Sequence, residues 1–420
     1  MDYLKESLKY HSRPTPGKIS IKLTKPCETQ DDLSLAYTPG VAAPSLEIAK
    51  NNELSYTYTN RSNLVGVISN GTAVLGLGDI GAAASKPVME GKSVLFKKFA
   101  DIDAFDIEID EKNPDKFISI VKSMEPTFGG INLEDIKGPE CFYIEEKLKK
   151  VMDIPVFHDD QHGTSIIATA GLLNAVELAG KDISKIKIIV SGAGAAAIPT
   201  VNMFIMAGAK IENIYMFDKN GFLNKRRKDT DKYNKKFSMR NFDTTMDKEI
   251  KDADLFLGLS VKGILTEKMF KSMSKDPILF ALANPHPEID YKTARNARKD
   301  AIISTGRSDY PNQINNVLGF PFIFRGVLDC GARKITDTMK MAAALTLAEI
   351  AREPVPDYVK KLYKSDLKFS KNYIIPKPFD RRVFVEESSA VLEQAIKEGL
   401  NRFEVDVDKY RKSLRKKAGQ

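Results

Sequence analysis

The stretch Ile186-Lys-Ile-Ile-Val-Ser-Gly-Ala-Gly-Ala-Ala-Ala197 decides the fold. A run that is apolar except for Lys187 feeds a glycine turn, Gly192-Ala193-Gly194-Ala195-Ala196-Ala197, and a helix-like run follows. Strand, glycine turn and helix in this order give a dinucleotide pyrophosphate its seat, because the helix N-terminus offers free N–H groups and a positive dipole end. Ala197 permits the helix to pack closely. Asp218 ends the next strand-like run, where a carboxylate can accept hydrogen bonds from an adenosine ribose diol. The cofactor-binding positions read from this unit are Gly192, Gly194, Ala195, Ala196, Ala197 and Asp218, and a redox cofactor is expected.

Working outward, strands are predicted at 186–190, 214–217, 255–257, 278–282 and 301–303, separated by helix-length segments. That alternation implies an α/β fold with a Rossmann-like parallel sheet covered on both faces. Before it, a mixed α/β region carries short strands at 65–68 and 94–96, and a helix at 166–178 links the two parts. After it, 383–400 and 402–417 are strongly helical. The expected division is an N-terminal catalytic domain over 1–162, a dinucleotide-binding domain over 163–375 and a helical C-terminal segment over 376–420.

The chain has 420 residues, of which 42% are hydrophobic, enough for two or three well-packed domains. Its longest apolar runs, 74–77 and 341–345, fall far short of the roughly 20 residues a membrane span needs. The opening MDYLKESLKYHSRP lacks a secretory apolar core, so a soluble, cytoplasmic protein with no membrane partner is expected. Cys27, Cys141 and Cys330 lie far apart without a CxxC pair, which suggests reduced thiols. The net charge of +8 concentrates in 224–236 and 409–417. Without aromatic interleaving, this reads as solvated surface and not as a nucleic-acid interface.

A second glycine pattern, Gly76-Leu-Gly78-Asp-Ile-Gly81, also follows a strand-like run, with Asp101 or Asp103 about 20 residues on. Its weaker surroundings favour a structural turn. Two acidic pairs, Glu134-Asp135 and Asp159-Asp160, provide hard oxygen donors of the kind Mg2+ or Mn2+ prefers. The second lies in Val156-Phe-His-Asp-Asp-Gln-His-Gly163, an apolar strand that ends in a glycine and so opens into a cleft. His158 and His162 raise a rival zinc reading, but neither a thiolate nor an HExxH pattern accompanies them.

Eight stretches in shared order make the chain resemble the malic enzymes of the short, prokaryotic type. They are Tyr37-Thr-Pro-Gly-Val-Ala42, Gly76-Leu-Gly-Asp-Ile-Gly81, Lys86-Pro-Val-Met-Glu-Gly-Lys92, Asn132-Leu-Glu-Asp135, Phe157-His-Asp-Asp-Gln-His-Gly-Thr164, Gly192-Ala-Gly-Ala-Ala-Ala197, Ala283-Asn-Pro285 and Pro311-Asn-Gln-Ile-Asn-Asn-Val317. The resemblance covers nearly the whole chain. It implies metal-dependent oxidative decarboxylation of L-malate to pyruvate and CO2 with reduction of NAD or NADP. By the same resemblance Lys92 is the general base, Tyr37 the general acid that protonates C3, and Asp159 the neighbour that tunes Lys92. Glu134, Asp135 and Asp160 are the implied ligands of Mg2+ or Mn2+, and Asn284 and Asn316 the implied amides on substrate or nicotinamide.

The resemblance leaves some points open. The large animal enzymes carry a carboxylate-binding arginine two residues before the Leu-Gly-Leu-Gly stretch, and Ala73 stands there in this chain, with Arg61 or the asparagines as candidate substitutes. Asp218 tips the cofactor choice slightly to NAD, although Lys219 and Lys225-Arg226-Arg227 can compensate its charge. Short family members resemble homodimers with shared active sites, so Lys92 is a candidate to act across the interface. A malolactic or oxaloacetate-decarboxylating relative without net NAD(P)H release, and a non-catalytic nucleotide-binding regulator, are the alternatives.

Overall fold

A computed structural model describes residues 3–419 of the chain, which fold around two sheets. The first contains β1 Leu64–Ser69, β2 Asp103–Glu108, β3 Gly130–Leu133 and β4 Val156–His158, all parallel, in the order β2-β1-β3-β4. The second contains β5 Ile188–Ser191, β6 Ile214–Asp218, β7 Gly221–Phe222, β8 Leu255–Gly258, β9 Ile278–Ala281 and β10 Ile302–Thr305. Its order is β10-β9-β8-β5-β6-β7, parallel except for the short antiparallel β7. Strands β5, β8, β9 and β10 are buried at every position. Continuous apolar strands of this kind form where helices cover both faces of a parallel sheet.

The five strands predicted for the second sheet are all present, each within two residues at either end. The strand predicted at 94–96 is not. Those residues lie inside helix Ala82–Ala100, whose buried positions Ala82, Ser85, Met89, Ser93, Phe96 and Ala100 recur every three or four residues. A helical stripe sustained over five turns outweighs the β propensity of three residues.

The linking helix begins earlier than 166. Helix Asp159–Leu178 starts directly after β4 and runs from the first sheet into the second, with the border proposed at 162 inside it. Residues Ser165 to Ala170 are buried without a break, so this helix shows no polar face and serves as a core strut between the sheets. At its far end Asn174 donates to the carbonyls of Ala348 (3.0 Å) and Ile374 (2.9 Å). The C-terminal helix Arg381–Lys397 packs back on helices Phe320–Asp329 and Asp337–Arg352. No helix among the described residues is long and apolar enough to cross a membrane. Cys141 and Cys330 are buried, and burial pushes both thiols up to about 12, which keeps them protonated.

Glu387, on helix Arg381–Lys397, is fully buried and neither of its carboxylate oxygens has a hydrogen-bond partner. Burial raises its affinity for a proton well above that of an ordinary glutamate. A folded state that holds this proton loses stability as pH rises above the unfolded pKa of about 4.3, and the loss continues until the folded pKa is passed. Glu387→Gln is therefore expected to raise Tm, by a margin that widens between pH 4 and pH 8 and reaches about 1–3 kcal/mol of unfolding free energy. Thermal melts across that range check it, and a gap that stays constant with pH contradicts it.

Candidate active site

Register places the acidic pairs together. Leu133 of β3 lies opposite His158 of β4, so the residues that follow each strand, Glu134-Asp135 and Asp159-Asp160, emerge side by side at the carboxyl ends. Asp135 takes a left-handed backbone conformation, φ +54°, a cost that Asp bears better than most residues. Its N–H donates to Asp160 Oδ2 at 2.8 Å. Oxygen donors of Glu134, Asp135 and Asp160 all lie within 4.8 Å of one another. Lys92, on helix Ala82–Ala100, reaches in from the other side. Its Nζ donates to Asp159 Oδ2 at 2.6 Å, stands 3.0 Å from Glu134 Oε1 and rests 4.4 Å above the Phe320 ring.

Four carboxyl groups thus surround one amine. Burial disfavours the ammonium of Lys92, but Asp159 and Glu134 overcome burial and hold the lysine above its ordinary pKa. Burial, reinforced by Asp160, pushes Asp135 up to about 7. Burial raises Glu134 as well; Lys92 opposes this, while Asp160 and Asp159 add to it. Glu134, Asp135 and Lys92 are shifted towards holding protons, the signature of a cluster with more negative charge than its own cation can balance. Asp135 Oδ2 and Asp159 Oδ1 are buried without partners. An all-oxygen donor set with orphaned carboxylate oxygens fits a hard dication such as Mg2+ or Mn2+.

The zinc reading of His162 finds no support. The Glu145 carboxylate accepts from His162 Nε2 at 2.8 Å, and Lys340 Nζ donates to its Nδ1 at 3.2 Å, which occupies both ring nitrogens. Burial lowers His162 to about 3 and keeps the ring neutral. Glu145 also accepts the His158 N–H at 3.1 Å, so it braces the 158–162 turn from behind. Nothing in the sequence singled it out, since it lies among other charges on helix Glu140–Val151.

Asn316 stands beside the cluster. Its Nδ2 donates to Asp159 Oδ2 at 3.1 Å, and its Oδ1 accepts from Thr164 at 3.0 Å. The contact requires Gly163, because a Cβ there would meet Asp159 Oδ1 at 2.3 Å and Asn316 Cγ at 2.5 Å. Asn284 stands on an exposed turn beside Gly306, and the neighbouring Pro285 packs over Gly76 of the upstream glycine stretch. That stretch is the loop between β1 and helix Ala82–Ala100. It leans on the cluster through Ala73 N–H to the Asp135 carbonyl, 2.9 Å, and forms no dinucleotide turn of its own.

One expectation is corrected here. Arg61 does not substitute for the missing arginine: its guanidinium donates to Phe128 O (3.1 Å), Glu125 O (3.3 Å) and Ser55 Oγ (2.9 Å) and lies over the Tyr56 ring, a structural staple with its donors spent. Lys92 meets Glu134 and Asp159 of its own chain. The residue left outside is Tyr37, which is 70% exposed and, among the described residues, makes no side-chain hydrogen bond or ring contact with the cluster.

In the second sheet the chain leaves β5 for β6 on one side and reaches β8 on the other, so the crevice of an open α/β fold lies at the carboxyl end of β5. Gly192 turns there with φ +118°, and a Cβ at this position would strike the Leu259 carbonyl oxygen at 2.4 Å. Gly194, Ala195 and Ala196 lead into helix Ala197–Met206, whose first residues are buried. Asp218 ends β6 as expected, but its carboxylate is not free. Arg227 grips both oxygens at 2.7 Å, and the Asn220 N–H takes Oδ1 at 2.8 Å. The slight lean to NAD, which rested on a free Asp218, loses its physical basis.

An acidic cluster holding a buried amine, joined by one helix to a Rossmann-like sheet with a glycine turn at its crevice, defines the class: a two-sheet α/β protein with a dinucleotide-type fold. Comparison with known proteins gives the family. Residues 16–149 match the malic enzyme N-terminal domain and residues 161–363 the malic enzyme NAD binding domain. The probable NADP-dependent malic enzyme of Rickettsia prowazekii is 54% identical over 97% of this chain and 54% of its own length. The bifunctional malic/malolactic enzyme of Bacillus subtilis is 45% identical over 99% of this chain and 98% of its own. A solved malic enzyme from Pyrococcus horikoshii is 42% identical, superposes with a TM-score of 0.91, and is covered over 96% of its length by 99% of this chain. The chain belongs to the malic enzyme family. It spans about half the length of the first of these curated relatives.

If the acidic trio holds a dication, the unaltered chain binds Mn2+ without substrate, and Asp135→Asn weakens that binding by more than about tenfold. Loss of the free Mn2+ electron-paramagnetic signal on titration measures both, and equal binding by the two proteins would falsify the ligand set.

Proposed function

We propose that the chain catalyses oxidative decarboxylation of L-malate to pyruvate and CO2 with reduction of NAD or NADP. The observation that carries this reading is the Lys92 amine held 2.6 Å from Asp159 and 3.0 Å from Glu134, against the three oxygen donors. When bound, Mg2+ or Mn2+ supplies a Lewis acid for the C2 oxygen and the dinucleotide supplies a hydride acceptor. Glu134, Asp135 and Asp160 would hold the ion. Lys92 takes the C2 hydroxyl proton, which it does only once the surrounding carboxylates are charge-compensated and the amine can be neutral. Asp159 aims that amine, and Asn316 fixes Asp159. Asn284 and Asn316 offer uncharged amides to substrate or nicotinamide, which leaves the charge balance intact.

Tyr37 is the residue assigned to protonate C3, and its exposure supports a homodimer in which one protomer's Tyr37 completes its partner's site. Helices Tyr3–Ser12, Gln30–Ala36 and Ala42–Lys50 bury no residue, and Tyr3, Leu4, Leu8, Leu35 and Leu46 are exposed on them. Apolar surface on this scale marks an interaction face. We also retain the regions 1–162, 163–375 and 376–420 as functional divisions and the cytoplasm as the setting.

The malolactic alternative shares the cluster and is favoured by one relative's name. Absorbance of the reduced nicotinamide discriminates it, since that route releases none. A non-catalytic regulator has no use for Lys92, Tyr37 and four carboxyl groups together.

Malate-dependent NAD(P)H formation is expected, with loss of at least about a hundredfold on EDTA treatment or in Lys92→Ala, on the scale of general acid–base catalysis. Tyr37→Phe and Lys92→Ala chains, each inactive alone, are expected to regain activity when mixed; no recovery refutes the shared site. For the cofactor, Arg227 occupies both Asp218 oxygens while also pairing with Asp229, and Lys219, Lys225 and Arg226 have no ion-pair partner among the described residues. NADP is therefore expected to serve at least as well as NAD in kcat/KM, and a tenfold preference for NAD contradicts this.

A further inference from the structure

We propose that Glu288 is a positioning residue for the dinucleotide: a buried carboxylate that ties the loop after β8 to the loop after β9 and thereby fixes two rims of the cofactor crevice. The inference rests on the dinucleotide-binding reading of the second sheet and on nothing in the acidic cluster.

Glu288 is fully buried. Its Oε1 accepts the Ser260 N–H at 2.9 Å, two residues past the end of β8. Its Oε2 accepts the Ala283 N–H at 3.2 Å, two residues past the end of β9 and immediately before Asn284. One carboxylate therefore spans two adjacent strand ends. The tie continues to a third. Ser260 Oγ shares a hydrogen bond of 2.7 Å with Ser191 Oγ, the last residue of β5 before the Gly192 turn. The β8 loop also presses on that turn, where Leu259 O occupies the space a Gly192 side chain would need.

The fold makes room for this carboxylate at a cost in side chain. A Cβ at Gly258 would meet the Glu288 carboxyl carbon at 2.4 Å, so the last residue of β8 is glycine where Glu288 sits. The backbone of the same segment returns the contact, with Leu265 N–H donating to the Glu288 carbonyl at 3.2 Å. Burying a carboxyl group without partners is expensive, and burial does raise its proton affinity while the Ser260 and Ala283 N–H groups restrain the rise. A packing role alone calls for an apolar side chain. Two acceptors on one rigid group, shared between two loops that border a ligand crevice, serve to hold a distance between those loops.

Glutamine at this position is the informative variant, because it keeps the shape but has a single acceptor, and its amide N–H groups would face a backbone donor. The chain has no tryptophan, so enhancement of nicotinamide fluorescence reports binding without interference. Unaltered protein, Glu288→Gln and, as control, Glu387→Gln are titrated with NADH and with NADPH in the absence of malate. Glu288→Gln is expected to weaken both nucleotides about tenfold or more, and to raise the dinucleotide KM with little change in malate KM. Glu387→Gln alters stability and leaves nucleotide affinity within twofold. Binding by Glu288→Gln within twofold of the unaltered protein overturns the proposal, whatever its Tm. If that variant does not fold, amide hydrogen exchange on the unaltered protein decides: the Ser260 and Ala283 amides must be protected before nucleotide is added, and exchange at the rate of open loops overturns it. Failure of the unaltered chain to bind either nucleotide brings down the dinucleotide reading and this inference with it, a result distinct from binding that ignores Glu288.

Discussion

Crowded negative charge at the carboxyl ends of β3 and β4 governs the N-terminal half of this molecule. Coulomb repulsion among Glu134, Asp135, Asp159 and Asp160 is large in a buried setting, and a single lysine relieves only part of it. The cluster is stable to the extent that something positive enters it. Under the proposed function a bound dication would relieve that repulsion, and the backbone around the cluster is firmly determined. Asp135 is held in a left-handed conformation, Gly163 leaves space for Asp159 and Asn316, and Glu145 braces the turn from behind.

The crevice in the second sheet meets the opposite demand, since its ligand is an anion. Positive charge there comes from backbone N–H groups at the start of helix Ala197–Met206 and from lysine and arginine side chains after β6. Negative side chains near it have their oxygens occupied: Asp218 by Arg227, Glu288 by backbone donors on two loops. The two halves are thus opposite in electrostatic character, one crowded with carboxylates and the other lined with donors.

Much of this was legible in the sequence, and the gaps have physical causes. The parallel sheet was readable because its strands are short continuous apolar runs flanked by glycine, a pattern that depends on burial alone. The acidic pairs were readable as potential ligands, but their convergence was not, because it follows from the register of β3 against β4, which no local pattern encodes. Residues 94–96 misled because three apolar residues fit either period, and only the longer stripe from Ala82 to Ala100 distinguishes them. Arg61 misled for a different reason: a guanidinium's charge is visible in sequence, whereas the carbonyls that consume its donors come from residues more than sixty positions away. Glu145 and Glu288 were silent, as single acids in charged or loop surroundings carry no periodic signal. Family resemblance supplied the roles of Lys92 and Tyr37, which residue chemistry alone left open.

The helix Asp159–Leu178 deserves a mechanical reading. Its first turn carries two members of the acidic cluster, and its far end is pinned by Asn174 to the carbonyls of Ala348 and Ile374. Twenty residues at 1.5 Å each make a rod about 30 Å long. Pivoting such a rod at one end by about 2° swings the other by about 1 Å, a displacement on the scale that degrades catalytic alignment. Loosening where Asn174 meets Ala348 and Ile374, far from the carboxylates, would therefore reach them by stiffness and leverage instead of by any chain of charges.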